Sequence, residues 1–194
     1  MEKLEKIKEL VEQNNGIITT AILEQNNIHR QYLKNLVDEG YLVKVTRGIY
    51  ALPEKYVSEY YILGVEYKNA IFSHNTALYF YDLTDRTPFI VDMTFSSNVR
   101  ANNYMLSPHY INKKRLEIGA TTMKLADGTN VRVYDMERTI CDVIRDRNKI
   151  DSQILNMALK SYMARDDKNL NLLYKYAKEF KILKILKMYM DVLT

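Results

Sequence analysis

The sequence predicts an α+β protein, an N-terminal winged helix-turn-helix followed by a mixed α/β domain that ends in helices. Three observations carry this reading. Residues 16–52 hold two short helical patterns followed by two β-rich runs around a glycine turn. A second hairpin signal, Ala126-Asp127-Gly128-Thr129, lies far downstream between two further β-rich runs. From Asp151 onward the pattern is helical. The chain has 194 residues, enough for two domains with their own cores. Pro53 closes the first β-rich region, so the expected division is a DNA-binding domain at 1–54 and a C-terminal domain at 55–194.

The elements follow in order. A first helix spans Glu2 to Gln13, with Leu4, Ile7 and Val11 on one face. Gly16 to Thr19 is a short apolar run, and Thr19 or Thr20 caps a helix that ends near Gln25. Asn26-Asn27 turns the chain. A second helix runs from about Ile28 to Glu39 and is stopped by Gly40. Tyr41–Val45 and Ile49–Leu52 read as strands joined by Thr46-Arg47-Gly48. A tyrosine-rich helical segment, Tyr56–Tyr67, follows. After the apolar Ala70–Phe72, Ser73 caps a helix through about Tyr81. Phe89–Phe95 reads as a strand and Asn98–Pro108 as irregular chain. Thr121–Leu125 and Asn130–Tyr134 flank the second hairpin turn. Asp135 caps a helix from Met136 to Arg147. Two helices, Asp151–Ala164 and Asn169–Leu193, complete the chain.

The first of these regions has the order of parts of a DNA-reading module: helix, turn, helix, β-hairpin. On its second helix Leu33, Leu36 and Val37 share a core face, and Gln31, Lys34 and Asn35 lie opposite, with Arg30 at the flank. Arg and Lys pair with guanine or phosphate, and Asn and Gln with adenine, which suits a helix in the major groove. Lys44 and Arg47 on the hairpin suit phosphate contacts. The expected DNA-binding set is Thr20, Arg30, Gln31, Lys34, Asn35, Lys44 and Arg47. Residues 1–52 carry seven basic and seven acidic side chains. The module is therefore polarised rather than basic, and one copy alone neutralises few phosphates. Two copies acting together, or help from the second domain, are expected.

Composition excludes several classes. A hydrophobic fraction of 47% with 27% charged residues is a soluble globular balance. No apolar run is long enough to span a membrane, and MEKLEKIKEL is too charged for a signal peptide, so a cytoplasmic protein is expected. Cys141 stands alone, which rules out an intrachain disulfide and a cysteine-based zinc site. The three histidines, His29, His74 and His109, are scattered and match no metal-binding spacing. None of the glycines opens a phosphate loop. Asp82 and Asp85 read as a helix end and loop, and the adjacency of Ser73 and His74 does not supply nucleophile geometry. Asp135, Glu137, Arg138 and Asp142 cluster at one helix start, where capping and i,i+4 pairing account for them. No catalytic residue, metal or cofactor is expected. In the C-terminal helix Lys175, Lys178, Lys181, Lys184 and Lys187 recur every third residue. Each step of three slips by roughly 60° around a helix, so the lysines wind rather than form one stripe. Lys181, Lys184 and Lys187 are the candidate surface there.

The succession Arg47-Gly48-Ile49-Tyr50, then Phe72-Ser73-His74-Asn75-Thr76-Ala77-Leu78, then Tyr134-Asp135-Met136-Glu137-Arg138-Thr139-Ile140-Cys141-Asp142 resembles the AbiEi family, the antitoxins of AbiE abortive-infection systems of bacteria. The resemblance runs over nearly the whole chain. It implies a winged helix that binds inverted repeats in promoter DNA and represses its own operon. It also implies a C-terminal domain that helps on DNA and counters a nucleotidyltransferase-like toxin, AbiEii, without a stable complex, as in type IV toxin-antitoxin systems for phage defence. Read from the residues alone, two other functions stay open. One is a one-component regulator whose second domain binds a small ligand. The other is a nucleic-acid enzyme, which requires an acid cluster or metal.

Overall fold

A computed structural model describes residues 2–193; the expected ranges end at Met1 and Thr194, which lie outside it. The fold is mixed α+β and divides into two compact units, 1–66 with 124–130, and 67–123 with 131–194.

The first unit opens with α1 (Glu2–Gln13), β1 (Ile17–Thr19) and α2 (Thr20–Gln25). α3 (Gln31–Asp38), β2 (Val43–Thr46), β3 (Ile49–Ala51) and α4 (Glu59–Glu66) follow. The strands form one sheet in the order β1-β3-β2 with antiparallel pairs throughout. Successive side chains of a strand point to opposite faces. Ile18 accordingly joins Ile7, Leu10, Val11, Leu23, Leu33, Leu36 and Leu42 in a core made with the three helices. Ile17, Ile49 and Ala51 face the other way and are covered by Val57, Tyr61, Ile62 and Val65 of the α4 region. Burying a Leu or Ile side chain stabilises by about 1.5–3 kcal/mol. A helix cap such as Thr19, whose hydroxyl accepts from the Ile22 N–H at 3.3 Å, contributes about 1 kcal/mol. Packing therefore places the helix, and the cap sets where it starts.

Two features differ from the sequence reading. α3 begins at Gln31 rather than Ile28, because the Ile28 N–H closes the preceding turn onto Leu23 O and His29 Nδ1 takes the Gln31 N–H. The tyrosine-rich helix covers the second apolar face of the first sheet, so it belongs with residues 1–54 rather than after a boundary at 54/55.

The second unit contains β4 (Ile71–Phe72), α5 (His74–Phe80), β5 (Val91–Ser96), β6 (Leu106–Ile111) and α6 (Lys113–Leu116). β7 (Ala120–Lys124) and β8 (Asn130–Tyr134) follow, and the turn between them counts with the first unit. α7 (Met136–Arg145), α8 (Ser152–Ala164), α9 (Leu170–Glu179) and α10 (Leu183–Leu193) close the chain. The sheet order is β6-β5-β4-β8-β7, with β4 antiparallel to β5 and parallel to β8, and β5 parallel to β6. α7 is the centre of the helical layer. Its Ile140, Val143 and Ile144 pack with Leu78 of α5, Leu159 of α8, Leu173 of α9 and Leu186 of α10.

Asn98–Pro108, expected to be irregular, runs into a strand at Leu106–Ile111. Pro108 sits in it without loss because β6 is an edge strand. The single helix expected over 169–193 is two. Lys181 adopts a left-handed φ of 59°, and the Ile182 N–H returns to Ala177 O at 2.9 Å. That break lets Phe180 and Ile182 both reach the core. Ser73 precedes α5 but makes no side-chain cap bond. Its hydroxyl is turned to other partners, described below.

Candidate nucleic-acid interface

On α3, Leu33 and Leu36 are buried and fix the helix on its core, while Gln31, Lys34 and Asn35 are exposed on the outer face. Arg30 occupies the cap position of α3 and is exposed. The hairpin β2–β3 carries Lys44 and Arg47 into solvent, and Gly48 turns the chain at a φ of 80°. Among the described residues, none of these six side chains is held by a hydrogen bond or ion pair. Their donors and charges are available to a ligand.

Thr20 is different. Its backbone N–H donates to Gly48 O at 3.0 Å, and its hydroxyl lies 3.1 Å from where a β-carbon on Gly48 would stand. Half-buried, it ties the start of α2 to the hairpin turn. The structure thus gathers the other six on α3 and the hairpin of one unit and gives Thr20 a bracing place beside them. The candidate lysines further on are exposed, but not on one helix. Lys181 lies in the break between α9 and α10, where it lines a cleft of about 1010 Å3 with Arg115, Lys175 and Lys178. Lys184 and Lys187 lie on α10. Asp82 and Asp85 are exposed at the end of α5, as the sequence suggests.

A second constellation was not legible in the sequence. His74 and His109, scattered along the chain, stack ring on ring with centroids 3.5 Å apart and planes 11° from parallel. Strand register brings them together. His109 lies opposite Thr94 in the β5–β6 pair, and the Ser73 N–H bonds Asp92 O across β4–β5. His74 Nε2 is 3.1 Å from Asp146 Oδ2, and His109 Nε2 is 2.8 Å from Asp92 Oδ1. Ser73 Oγ lies 3.0 Å from His74 Nδ1 and accepts from Thr94 Oγ1 at 2.9 Å. Burial works against a charge on His109, but its contacts with Asp146 and Asp92 more than offset this and raise its pKa to about 9. The contacts with His109 and His74 hold the Asp146 carboxyl far below the usual carboxylate range. The available signal was Asp92 and Thr94 alternating in the otherwise apolar strand Val91–Phe95, two polar side chains with no solvent to face.

The acid-base cluster at Asp135 resolves as architecture. Asp135 caps α7 through the Arg138 N–H at 2.7 Å, and Arg138 pairs with Asp142. Glu137 accepts from the Tyr162 hydroxyl at 3.0 Å and the Asn169 N–H at 2.8 Å. Among the described residues, no helix is long and apolar enough to cross a membrane.

Residues 5–53 match the family model described as "Transcriptional regulator, AbiEi antitoxin". The AbiEi resemblance is thus supported over that segment. Among solved structures, the RV2827C protein from Mycobacterium tuberculosis aligns with a TM-score of 0.55 at 14% identity. The alignment covers 92% of this chain and 72% of that one, a likeness of fold alone. No curated protein matches the chain.

Proposed function

We propose that the first unit is a winged helix-turn-helix that binds inverted repeats in its own promoter and represses a toxin-antitoxin operon. The observation that carries this reading is the set of unpartnered side chains on α3 and the hairpin, Arg30, Gln31, Lys34, Asn35, Lys44 and Arg47, within the segment that matches the AbiEi family. α3 supplies the base-reading face, and the hairpin supplies phosphate contacts. Thr20 acts by bracing the hairpin turn. The second unit counters a nucleotidyltransferase-like toxin in the cytoplasm without a stable complex, as a type IV antitoxin in phage defence, and does so by binding rather than catalysis. Lys181, Lys184 and Lys187 are the side chains proposed for that surface.

The test has two arms. A gel shift on the promoter compares wild type with Lys34→Ala/Arg47→Ala. The double variant is expected to bind more weakly, with a salt slope shallower by about 0.9 for each phosphate no longer neutralised. Unchanged affinity in a folded double variant removes the assignment of this surface. Co-expression with the neighbouring reading frame, scored for growth, tests the antitoxin role. Rescue by the full chain, but not by residues 1–66 alone, is expected.

A one-component regulator is the second reading. It is favoured by a cavity of about 570 Å3 in the second unit, where Leu159, Ile185, Met188 and Tyr189 meet Asn156 and Arg147. A growth-neutral neighbouring gene together with ligand-dependent promoter release selects it.

A further inference from the structure

The histidine cluster belongs to the second unit, outside the α3 and hairpin set, and its donors are those of a metal centre. His74 opens α5, His109 lies on β6, and Asp146 directly follows α7. One donor atom from each lies within 4.8 Å of the other two. His74 Nε2 and His109 Nδ1 converge on the same oxygen, Asp146 Oδ2, at 3.1 and 3.6 Å. We propose that His74, His109 and Asp146 form a binding site for a divalent transition-metal ion of the zinc type, with its fourth position open to solvent.

Three features favour an ion over a merely structural histidine pair. The first is the donor set. Two imidazole nitrogens and one carboxylate oxygen suit zinc and its neighbours, whereas magnesium and calcium take oxygen ligands. The second is the support behind the donors. His109 Nε2 is held by Asp92, and His74 Nδ1 by Ser73, itself held by Thr94. Metal-binding imidazoles have their far nitrogen fixed in this way, which leaves the near nitrogen aimed at the ion. The third is access. His109 and Asp146 line a cavity of about 450 Å3 with Tyr110, Arg115, Arg145 and Lys149, which gives room for water or an anionic oxygen as the fourth ligand.

Binding requires one adjustment. With the rings stacked, no ion can lie in both ring planes, so one ring must turn. His74 is 1% exposed and His109 20%, so His109, on the edge strand, is the ring that turns, pivoting on its Nε2 bond to Asp92. The ion takes the place of the protons on His74 Nε2 and His109 Nδ1, which leave to solvent.

The test uses the full chain after chelation, titrated with Zn2+ and Co2+ by calorimetry and by visible absorption of Co2+. One ion per chain with tetrahedral Co2+ bands is expected, together with a Tm that rises with Zn2+. Asp146→Asn and His109→Ala are expected to abolish both signals, and Asp92→Asn to weaken binding about 10- to 100-fold. His29→Ala, at an exposed histidine outside the cluster, leaves binding unchanged. Asp146→Asn preserves side-chain size and can still bond His74, so circular dichroism separates loss of the ion from loss of the fold. No saturable binding by wild type, a Tm indifferent to Zn2+, or binding that survives in folded Asp146→Asn and His109→Ala overturns the proposal.

Discussion

Arg138 Nε donates to Asp142 Oδ2 at 3.0 Å, one turn along α7, and neither side chain has any solvent exposure. The guanidinium lies 4.0 Å from the Tyr134 ring centre and 4.1 Å from that of Phe180. Its NH1 donates to the Ile118 and Arg115 carbonyls at 2.6 and 3.2 Å. A buried pair adds little over well-packed apolar residues, but removing one partner strands the other charge at a cost of about 3–5 kcal/mol. Arg138→Met is therefore expected to destabilise by that amount, towards its lower end because Arg145 also contacts Asp142 at 2.8 Å. Urea unfolding measures it. Adding Asp142→Leu is expected to recover part of the loss, and a double variant no better than the single refutes the account.

Gly40 and Gly119 share a left-handed φ, 75° and 77°, but not their surroundings. A β-carbon on Gly40 meets nothing within 4 Å, whereas on Gly119 it falls 2.6 Å from Arg138 Cβ. Gly40→Ala is expected to cost only the left-handed penalty of about 1–2 kcal/mol. Gly119→Ala is expected to cost more, because Arg138 Cβ is carried by the α7 backbone and cannot move aside by a change of rotamer. Thermal melts of the two variants rank them, and equal losses contradict the steric account.

A fragment ending at residue 54 leaves Ile17, Ile49 and Ala51 uncovered, because Val57, Tyr61, Ile62 and Val65 are gone. Extending it to residue 66 restores that cover. The longer fragment is expected to have the higher denaturation midpoint, and matched midpoints show that α4 adds nothing to the unit.

Gln31 and Asn35 have the side chains that pair bidentately with adenine, and both are exposed on α3. Gln31→Ala and Asn35→Ala are each expected to narrow the preference for the promoter over base-substituted variants by about 1–3 kcal/mol. Competition gel shifts read this out. A uniform loss across all operators points instead to phosphate contacts.

Much of the fold was legible because local signals coincide with structure in it. Thr19, Asp135 and Asp151 are side-chain caps, and Gly48 and Gly128 occupy turns with positive φ. The legible part of the candidate interface was the polar face of α3, since helical periodicity alone sorts Leu33 and Leu36 from Lys34 and Asn35. What stayed hidden depends on distant chain. Strand β6 is specified by pairing with β5 rather than by its own alternation. The break at Lys181 is set by the burial of Phe180 and Ile182. The meeting of His74, His109 and Asp146 comes from sheet register, which no spacing of residues along the sequence encodes.

The turn 124–130 counts with the first unit although its flanking strands belong to the second. Asn15 Nδ2 donates to Asp127 O at 2.7 Å, Lys55 Nζ donates to the same carbonyl at 3.1 Å, and a β-carbon on Gly128 would collide with Asn15. The first unit is thus not one unbroken stretch of chain. A recombination event that grafts residues 1–66 onto a foreign C-terminal half leaves Asn15 and Lys55 without their acceptor. A graft that keeps the unit whole therefore has to carry the turn that supplies the Asp127 carbonyl together with the N-terminal segment.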